Sequence, residues 1–468
     1  MNKNCLKYIL LFVSLSGVLL SCRVTKSYKR PDVNTEGLYR GSQSTDTTTM
    51  ASMPWQNLFA DTVLRSLIQE GLNNNLDLKT AVQKILEAQA TLRQSKAAFL
   101  PSLSGNVSVT RSKQSQAGLN FPEGIDINTL TTTYQANLST SWEADIWGKL
   151  SSTKRAALAS FLQSDAAKRA VQTQLIADIA NNYFSLLALD KQLEITQQTL
   201  KNRIQDVETM KELKKGAVVN GAAVVQSEAN RYAAEVSIPD IKRSIRETEN
   251  ALDILLSRGP GPITRSTLAD QKVTTELQTG IPTQLLTNRP DVQQSEYAFR
   301  AAFENTNLAR TYFYPSFTIT ASGGLSSLTL KDFFDKSIFY NAVAGIAQPI
   351  FNQGINKARL RTAQAQQQEA LNSFQKTLLV AGQEVSNALY AHETAVEKQD
   401  SRSKQIIALQ KSVDYTQELL RYSSATNYTD VLTSEQNLLA AQLSGVSDRL
   451  QELQAIVNLY RALGGGWR

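Results

Sequence analysis

Two stretches 207 residues apart share one residue pattern: Asn220 to Asn230, NGAAVVQSEAN, and Asn427 to Asn437, NYTDVLTSEQN. At this offset Asn220, Val224, Ser227, Glu228 and Asn230 fall on Asn427, Val431, Ser434, Glu435 and Asn437. Further along, Leu252, Leu256 and Gly259 fall on Leu459, Leu463 and Gly466. An offset of 214 aligns Asp77, Leu78, Phe99, Pro101 and Ser102 with Asp291, Val292, Phe313, Pro315 and Ser316. A fixed internal period of this length means a duplicated unit, so every element of one half is expected again in the other. This divides the chain into a first repeat at 61–259, a linker at 260–289 and a second repeat at 290–468.

Each unit is expected to open with a helix that stops before a proline. The first unit begins with a short amphipathic helix from Asp61, its cap, to Glu70, ended by Gly71-Leu72-Asn73-Asn74-Asn75. Helices from Leu76 to Phe99 and from Pro290 to Phe313 follow at corresponding places, stopped before Pro101 and Pro315.

After each proline the period falls to two. Tyr134, Ala136, Leu138, Thr140, Trp142, Ala144 and Ile146 alternate with Gln135, Asn137, Ser139, Ser141, Glu143 and Asp145. A shorter alternation around Leu103, Val107 and Val109 precedes it, so a hairpin of strands at about 102–111 and 133–146 is predicted. The second unit repeats it at about 316–326 and 339–350. Strands of this length, apolar on one face and polar on the other, carry the pattern of an outer-membrane barrel. Single-chain barrels begin at about eight strands, so a barrel here must be shared between chains.

Long helices come next. From Lys149 to about Leu213 there is neither proline nor glycine, and Ile179, Leu186, Leu193, Leu200 and Val207 recur every seven residues as a coiled-coil seam does. The matching stretch runs from Ile355 to about Leu420 with Gly382 inside it. At 1.5 Å per residue each would reach roughly 100 Å. Each is followed by a turn and a shorter helix, Ala223 to Leu256 and Thr429 to Leu463, the first carrying a bend at Pro239. Strands at one end and helical turns at the other describe a rod.

The first 21 residues read as a signal peptide, with Lys3 and Lys7, an apolar run from Tyr8 to Leu20, and a small residue at the cut. Leu19-Leu20-Ser21-Cys22 resembles a bacterial lipobox, which would make Cys22 the acylated first residue of the mature chain. Residues 22–60 are then a lipid anchor and extended leader. Cys5 leaves with the signal, so no internal disulfide is expected. The net charge of +7 is mild and dispersed, which argues against nucleic acid as a partner.

Catalysis has little support. His392 is the one histidine of the chain, expected to pack between helices, and no metal-ligand cluster or cofactor motif is visible. Ser151 to Lys154 and Ser401 to Lys404 satisfy Ser-x-x-Lys, but both sit in the long helices without the further motifs that chemistry needs.

Taken together, the chain resembles the TolC-like outer-membrane efflux proteins, in the lipoprotein branch often labelled NodT-like that serves resistance-nodulation-division pumps. The resemblance covers nearly the whole mature chain. It rests on Cys22 with Tyr28-Lys29-Arg30-Pro31, Pro54 to Phe59, Phe99 to Leu103, Trp142 to Leu150, Asn288-Arg289-Pro290-Asp291, Gln348 to Gly354, Asp430-Val431-Leu432 and Leu463 to Trp467. It implies a mainly α fold with a β-barrel part: a homotrimer whose 12 strands close one barrel, continuous with an α-helical tunnel. It also implies a place in the outer membrane and docking on a periplasmic adaptor joined to an inner-membrane pump, with no enzymatic role.

The resemblance places a periplasmic gate just after the last turn, at Asp430 and Thr433. The family carries aspartate at both positions, so this chain would have the fainter ring. The turns themselves, Gly216, Ala217, Val218, Val219 and Asn220 in the first unit and Ala425, Thr426, Asn427 and Tyr428 in the second, are the expected adaptor-docking residues. Small residues there admit a partner's hairpin, and Val218, Val219 and Tyr428 would offer it apolar contact. Alternative readings are a structural or adhesive envelope-spanning lipoprotein, or the outer channel of a type I secretion system.

Overall fold

The computed structural model describes residues 24–40, 46–115, 129–272, 277–422 and 428–468. Its principal helices are α1 (Thr62–Asn74), α2 (Leu76–Ala97), α3 (Lys149–Lys215), α4 (Gly221–Leu256), α5 (Pro290–Thr311), α6 (Ile355–Tyr422) and α7 (Tyr428–Ala462). The strands are β1 (Ser102–Lys113), β2 (Leu130–Ala144), β3 (Ser316–Ser327) and β4 (Ile338–Ala347). α3 and α6, at 67 and 68 residues, are the long elements. No helix among the described residues is long and apolar enough to cross a membrane.

The chain separates into two compact units, and each draws on both halves of the sequence. The first comprises Met1–Pro31, Leu86–Gln163 and Glu296–Ser373; the second comprises Asp32–Ile85, Ser164–Ser295 and Phe374–Arg468.

The first unit holds one antiparallel sheet in the order β1-β2-β3-β4. Its register puts Val107 opposite Ala136, Ala136 opposite Leu325, and Leu325 opposite Ile338. Because side chains alternate, the residues sharing that face include Leu103, Val109, Leu138, Ile319, Tyr340 and Ile346. The opposite face carries Ser104, Asn106, Asn137, Ser139, Thr320 and Ser322. The apolar face lies open: Val107 is 81% exposed and Tyr340 88%. Among the described residues β1 and β4 are each paired on one side only.

The first hairpin is longer than expected, with β1 reaching Lys113 and β2 beginning at Leu130, and two other strand ends fall short for local reasons. β2 stops at Ala144 because Asp145 leaves the ladder to cap α3: its carboxylate accepts from the backbone N–H groups of Leu150 and Ser151 at 2.8 and 2.9 Å. β4 ends at Ala347, two residues before Pro349, which has no N–H to give a ladder. Both tryptophans of the Trp142 to Leu150 motif anchor this corner. Trp142 donates its indole N–H to the Phe99 carbonyl at 2.9 Å and Trp147 donates to Pro315 at 2.7 Å.

The leader residues of this unit are held along α5. Arg30 forks onto Glu296 with two 2.7 Å hydrogen bonds, Asn307 exchanges hydrogen bonds with both backbone groups of Lys26, and Tyr28 packs on Phe299 and Phe303.

The second unit contains the main buried core. Asp61 caps α1 as expected, accepting from Val63 N at 2.8 Å. The helix does not stop at Gly71 but runs on to Asn74. Gly71 is buried, and a Cβ there would lie 2.4 Å from Ile179 Cδ1, so its role is close packing on α3 rather than termination. α4 likewise continues through Pro239. Along the heptad seam Ile179, Leu186 and Val207 are buried, whereas Leu193 and Leu200 are half-buried. Between the buried ends α3 borders a groove of about 1410 Å³, whose lining includes Leu187, Ile195, Ile406, Leu438 and Val446.

The segment expected as a linker is pinned rather than loose. Arg265 pairs with Asp190 on α3 and Glu249 on α4, and Ile263, Leu268 and Gln271 are buried. The Asn288-Arg289-Pro290-Asp291 motif and the C-terminal glycines form one joint. Arg289, 4% exposed, bonds Asp291, Glu384 and the Ala462 carbonyl, while the Asn288 carbonyl accepts from Trp467 at 2.9 Å. Gly464 (φ +91°) is required here, since a Cβ would sit 2.4 Å from the Asn288 carbonyl oxygen.

Candidate docking and gate site at the helical turns

Lys214 and Lys215 close α3, a favourable placement for cations at the negative end of a helix. Ala217 N–H then reaches the Lys214 carbonyl at 3.0 Å and Val218 N–H reaches Leu213 at 2.9 Å, the paired bonds of a Schellman stop. The residue in the left-handed region is Ala217 (φ 58°), not its neighbour Gly216. A Cβ in that conformation costs about 1–2 kcal/mol, so the turn is kept at some expense to local stability. Asn220 begins α4 as its cap, accepting from Ala223 N–H at 3.1 Å.

Gly216, Ala217, Val218 and Asn220 are exposed, and Val218 is the large apolar side chain turned outward, 64% open to solvent. Val219 and Tyr428 behave otherwise. Tyr428 is 6% exposed and packs with Met210 and Val224, and Val219, Leu213, Ala223 and Leu420 close round them. These two were expected to offer apolar contact to a partner; the structure spends Tyr428 on the core of the chain itself and half-buries Val219 against it. The sequence gives no sign that the ends of α3, α4, α6 and α7 meet at one core. Cys22, Ala425, Thr426 and Asn427 lie outside the described residues.

Asp430 and Thr433 stand three residues apart near the start of α7, both exposed and on one side of the helix. Thr433 Oγ1 donates to the Thr429 carbonyl at 2.8 Å. Their neighbours Val431 and Leu432 are buried. At the 207-residue offset Asp430 corresponds to Ala223, and the two differ: Ala223 packs on the turn core, while Asp430 keeps a carboxylate at the surface. Val224 and Val431 remain equivalent, both buried, as do Ser227 and Ser434.

Further into the helices, sequence reasoning missed a charged set. Arg203 on α3 donates to Glu435 on α7, and Gln417 on α6 donates to the other Glu435 oxygen at 2.9 Å. The Arg203–Glu435 pair spans 232 residues, a separation at which no local pattern announces a partner. His392 is half-buried on α6, and no cluster of three or more metal-ligating side chains occurs among the described residues.

Comparison with known proteins gives one answer at every level. A family model for outer membrane efflux proteins matches residues 67–258 and 281–465. The chain is 30% identical to the probable efflux pump outer membrane protein TtgC of Pseudomonas putida, over 96% of this chain and 94% of that one. It is 29% identical to the probable outer membrane lipoprotein SilC of Salmonella typhimurium, over 98% and 99% of the two chains. Among solved structures, the open-state MtrE outer membrane channel of Neisseria gonorrhoeae superposes with a TM-score of 0.83 at 27% identity, covering 96% of this chain and 99% of that one. CusC superposes with a TM-score of 0.83 at 26% identity, covering 95% and 100%. With the apolar-faced sheet, the two long helices and the turn core all present, the chain belongs to the outer membrane efflux protein family.

Proposed function

We propose that this chain is the outer-membrane conduit of a tripartite efflux system, a passive homotrimeric channel that docks on a periplasmic adaptor and an inner-membrane pump. The observation that carries the reading is the sheet. One face is apolar over most of its length, with Arg111 and Lys113 only at the far end of β1. The other carries mostly hydroxyl and amide side chains on β1 to β3, with Phe339 and Val343 of β4 among them, and among the described residues each side has an unpaired edge. In hydrocarbon an open edge leaves backbone groups unbonded, at several kcal/mol each, so the sheet is usable there only when copies join edge to edge. Three copies give 12 strands, enough to close a barrel with the polar face inward.

Within this reading the exposed Asp430 and Thr433 line the periplasmic end of the pore, and the turns Gly216 to Asn220 and Ala425 to Asn427 receive the adaptor. Cys22 carries the lipid that tethers the mature chain to the outer membrane. Relatives bear names that refer to toluene, antibiotic and cation efflux, which accords with cargo being selected by the pump rather than by this chain.

The test is purification from the outer-membrane fraction followed by planar-bilayer recording. The expected result is a heat-sensitive trimer with discrete conductance steps, and loss of resistance to a pump substrate on deletion of the chain. A monomer without conductance would reject the conduit, as would unchanged resistance in a strain whose adaptor and pump depend on it.

A further inference from the structure

Next to the core of Met210, Val224 and Tyr428, charged and polar side chains cluster between α3, α6 and α7 at the margin of the groove, which Arg203, Gln417 and Glu435 help to line, and the Asp206 side chain is 17% exposed. Arg203 is 3% exposed; its Nη1 donates to Glu435 Oε2 and lies 3.9 Å from Asp206 Oδ2. Two carboxyl groups therefore share one guanidinium nitrogen. Glu435 is fully engaged, since Gln417 takes its second oxygen. Asp206 Oδ2 is buried with no hydrogen-bond partner among the described residues, and the same holds for Ser227 Oγ, Asn230 Nδ2 and the Tyr428 hydroxyl. A buried carboxylate oxygen without a donor costs more than a hydrogen bond returns, unless the missing hydrogen is its own.

We propose that Asp206 and Glu435 form a proton-sensitive clasp between α3 and α7, in which one proton held between the two carboxyls keeps the helices together near the turns. Asp206 in its acid form donates its O–H to Glu435, leaving Glu435 and Arg203 as a balanced pair. Loss of that proton to water leaves two carboxylates on one guanidinium at a largely desolvated contact, which loosens as water from the adjoining groove moves in to solvate them. The groups acting on Asp206 are known from each side: Arg203 on its own helix, Glu435 and Tyr428 on α7, and Arg421 on α6. α4 adds the neutral Ser227 and Asn230 beside the Tyr428 hydroxyl.

Burial, then the charge of Glu435, pushes the Asp206 carboxyl up to about 7, against the opposing pull of Arg203. In a loosened end it would return to an ordinary value of about 3.9. The closed form therefore binds the proton more tightly. Its advantage is fully present below about pH 4, declines as pH rises toward 7, and is constant above about 8. For these two values the closed-to-loose ratio falls about tenfold between pH 6 and pH 8. The clasp goes beyond the conduit reading and does not depend on where the turns dock or on Asp430.

The experiment is amide hydrogen exchange of the intact purified protein between about pH 5 and 8, corrected for the chemical exchange rate, read on peptides carrying Asp206 and Glu435. Protection in the unaltered protein should fall about tenfold from pH 6 to 8. Asp206→Asn should abolish that dependence, Glu435→Gln should move it to lower pH, and Asp430→Asn should leave it unchanged. Flat protection in the unaltered protein would overturn the clasp without requiring any variant to fold. A fall that persists in Asp206→Asn, or that disappears in Asp430→Asn, would overturn it as well.

Discussion

The hydroxyl of Tyr183 on α3 donates a 2.7 Å hydrogen bond to Asp61 Oδ2, the carboxylate that also caps α1. Ser266 and Gln271 bond the same oxygen, so one side chain ties α1, α3 and the strap after α4. Tyr183→Phe removes a buried bond to a charged group and should cost about 1.5–3 kcal/mol. A lower melting temperature in detergent, with the barrel unaffected, is the expected readout. Burial opposes the Asp61 charge, but hydrogen bonds from Ser266, Tyr183, Gln271 and Val63 outweigh it and hold the carboxyl below its usual value. That stability is present above about pH 4 and lost as pH falls through the lowered value, so the deficit of Asp61→Asn should shrink in acid.

Arg289 supports the joint between the C-terminus and α5. Arg289→Ala removes a buried guanidinium and leaves the Ala462 carbonyl and Asp291 without its bonds, while Glu384 keeps Arg461, so the loss should be about 1–3 kcal/mol. Arg289→Lys should recover only part, because a single ammonium cannot reproduce the forked bonds to Asp291 together with those to Glu384 and Ala462. Yield of folded protein from the outer-membrane fraction would rank the three forms.

Leu138 and Ser139 are neighbours on β2 that face opposite ways. Leu138→Arg, on the apolar face, should destabilise assembled channel by about 2–4 kcal/mol if it lies near mid-bilayer. Ser139→Arg should leave assembly intact and alter conductance and ion selectivity. Urea titration of reconstituted protein separates the two; equal destabilisation would refute the assignment of faces.

Under the proposed gate, a trimer would turn three Asp430 carboxylates toward one another, so Asp430→Ala should raise single-channel conductance and weaken block by divalent cations. Thr433→Asp should do the opposite by doubling the ring. Unchanged recordings in both variants would take these residues out of the gate.

Val218→Asp should abolish pump-dependent resistance while trimers persist, since the residue is exposed and holds nothing together. Tyr428→Ala should instead lower stability by about 3–5 kcal/mol, as truncation of a buried aromatic does. Ala217→Gly should stabilise the turn by relieving the left-handed strain, with docking retained.

Periodic features were legible in the sequence and pairings were not. The period of two over Tyr134 to Ala144 and the proline stops at Pro101 and Pro315 each follow from residues within reach of one another along the chain. Gly71 was misread because a glycine that ends a helix and one that admits a neighbour's Ile179 look alike until the neighbour is placed. The burial of Tyr428 and the meeting of Arg203, Asp206 and Glu435 are illegible for the same reason: both arise only where α3, α4, α6 and α7 converge, and the repeat marks Glu435 without naming its partner. The left-handed residue fell on Ala217 although Gly216 was at hand, a choice made by the phase of α3 rather than by propensity.

The bare edges of β1 and β4 bear on how such a chain reaches its place. A solitary copy entering the bilayer would present a row of unbonded N–H and C=O groups to hydrocarbon on each side. In water it would offer two templates for strand capture by any passing segment. Insertion and oligomerisation are therefore a single event for this chain, and a cell making it needs an escort for the unassembled copy as much as a destination for the finished ring.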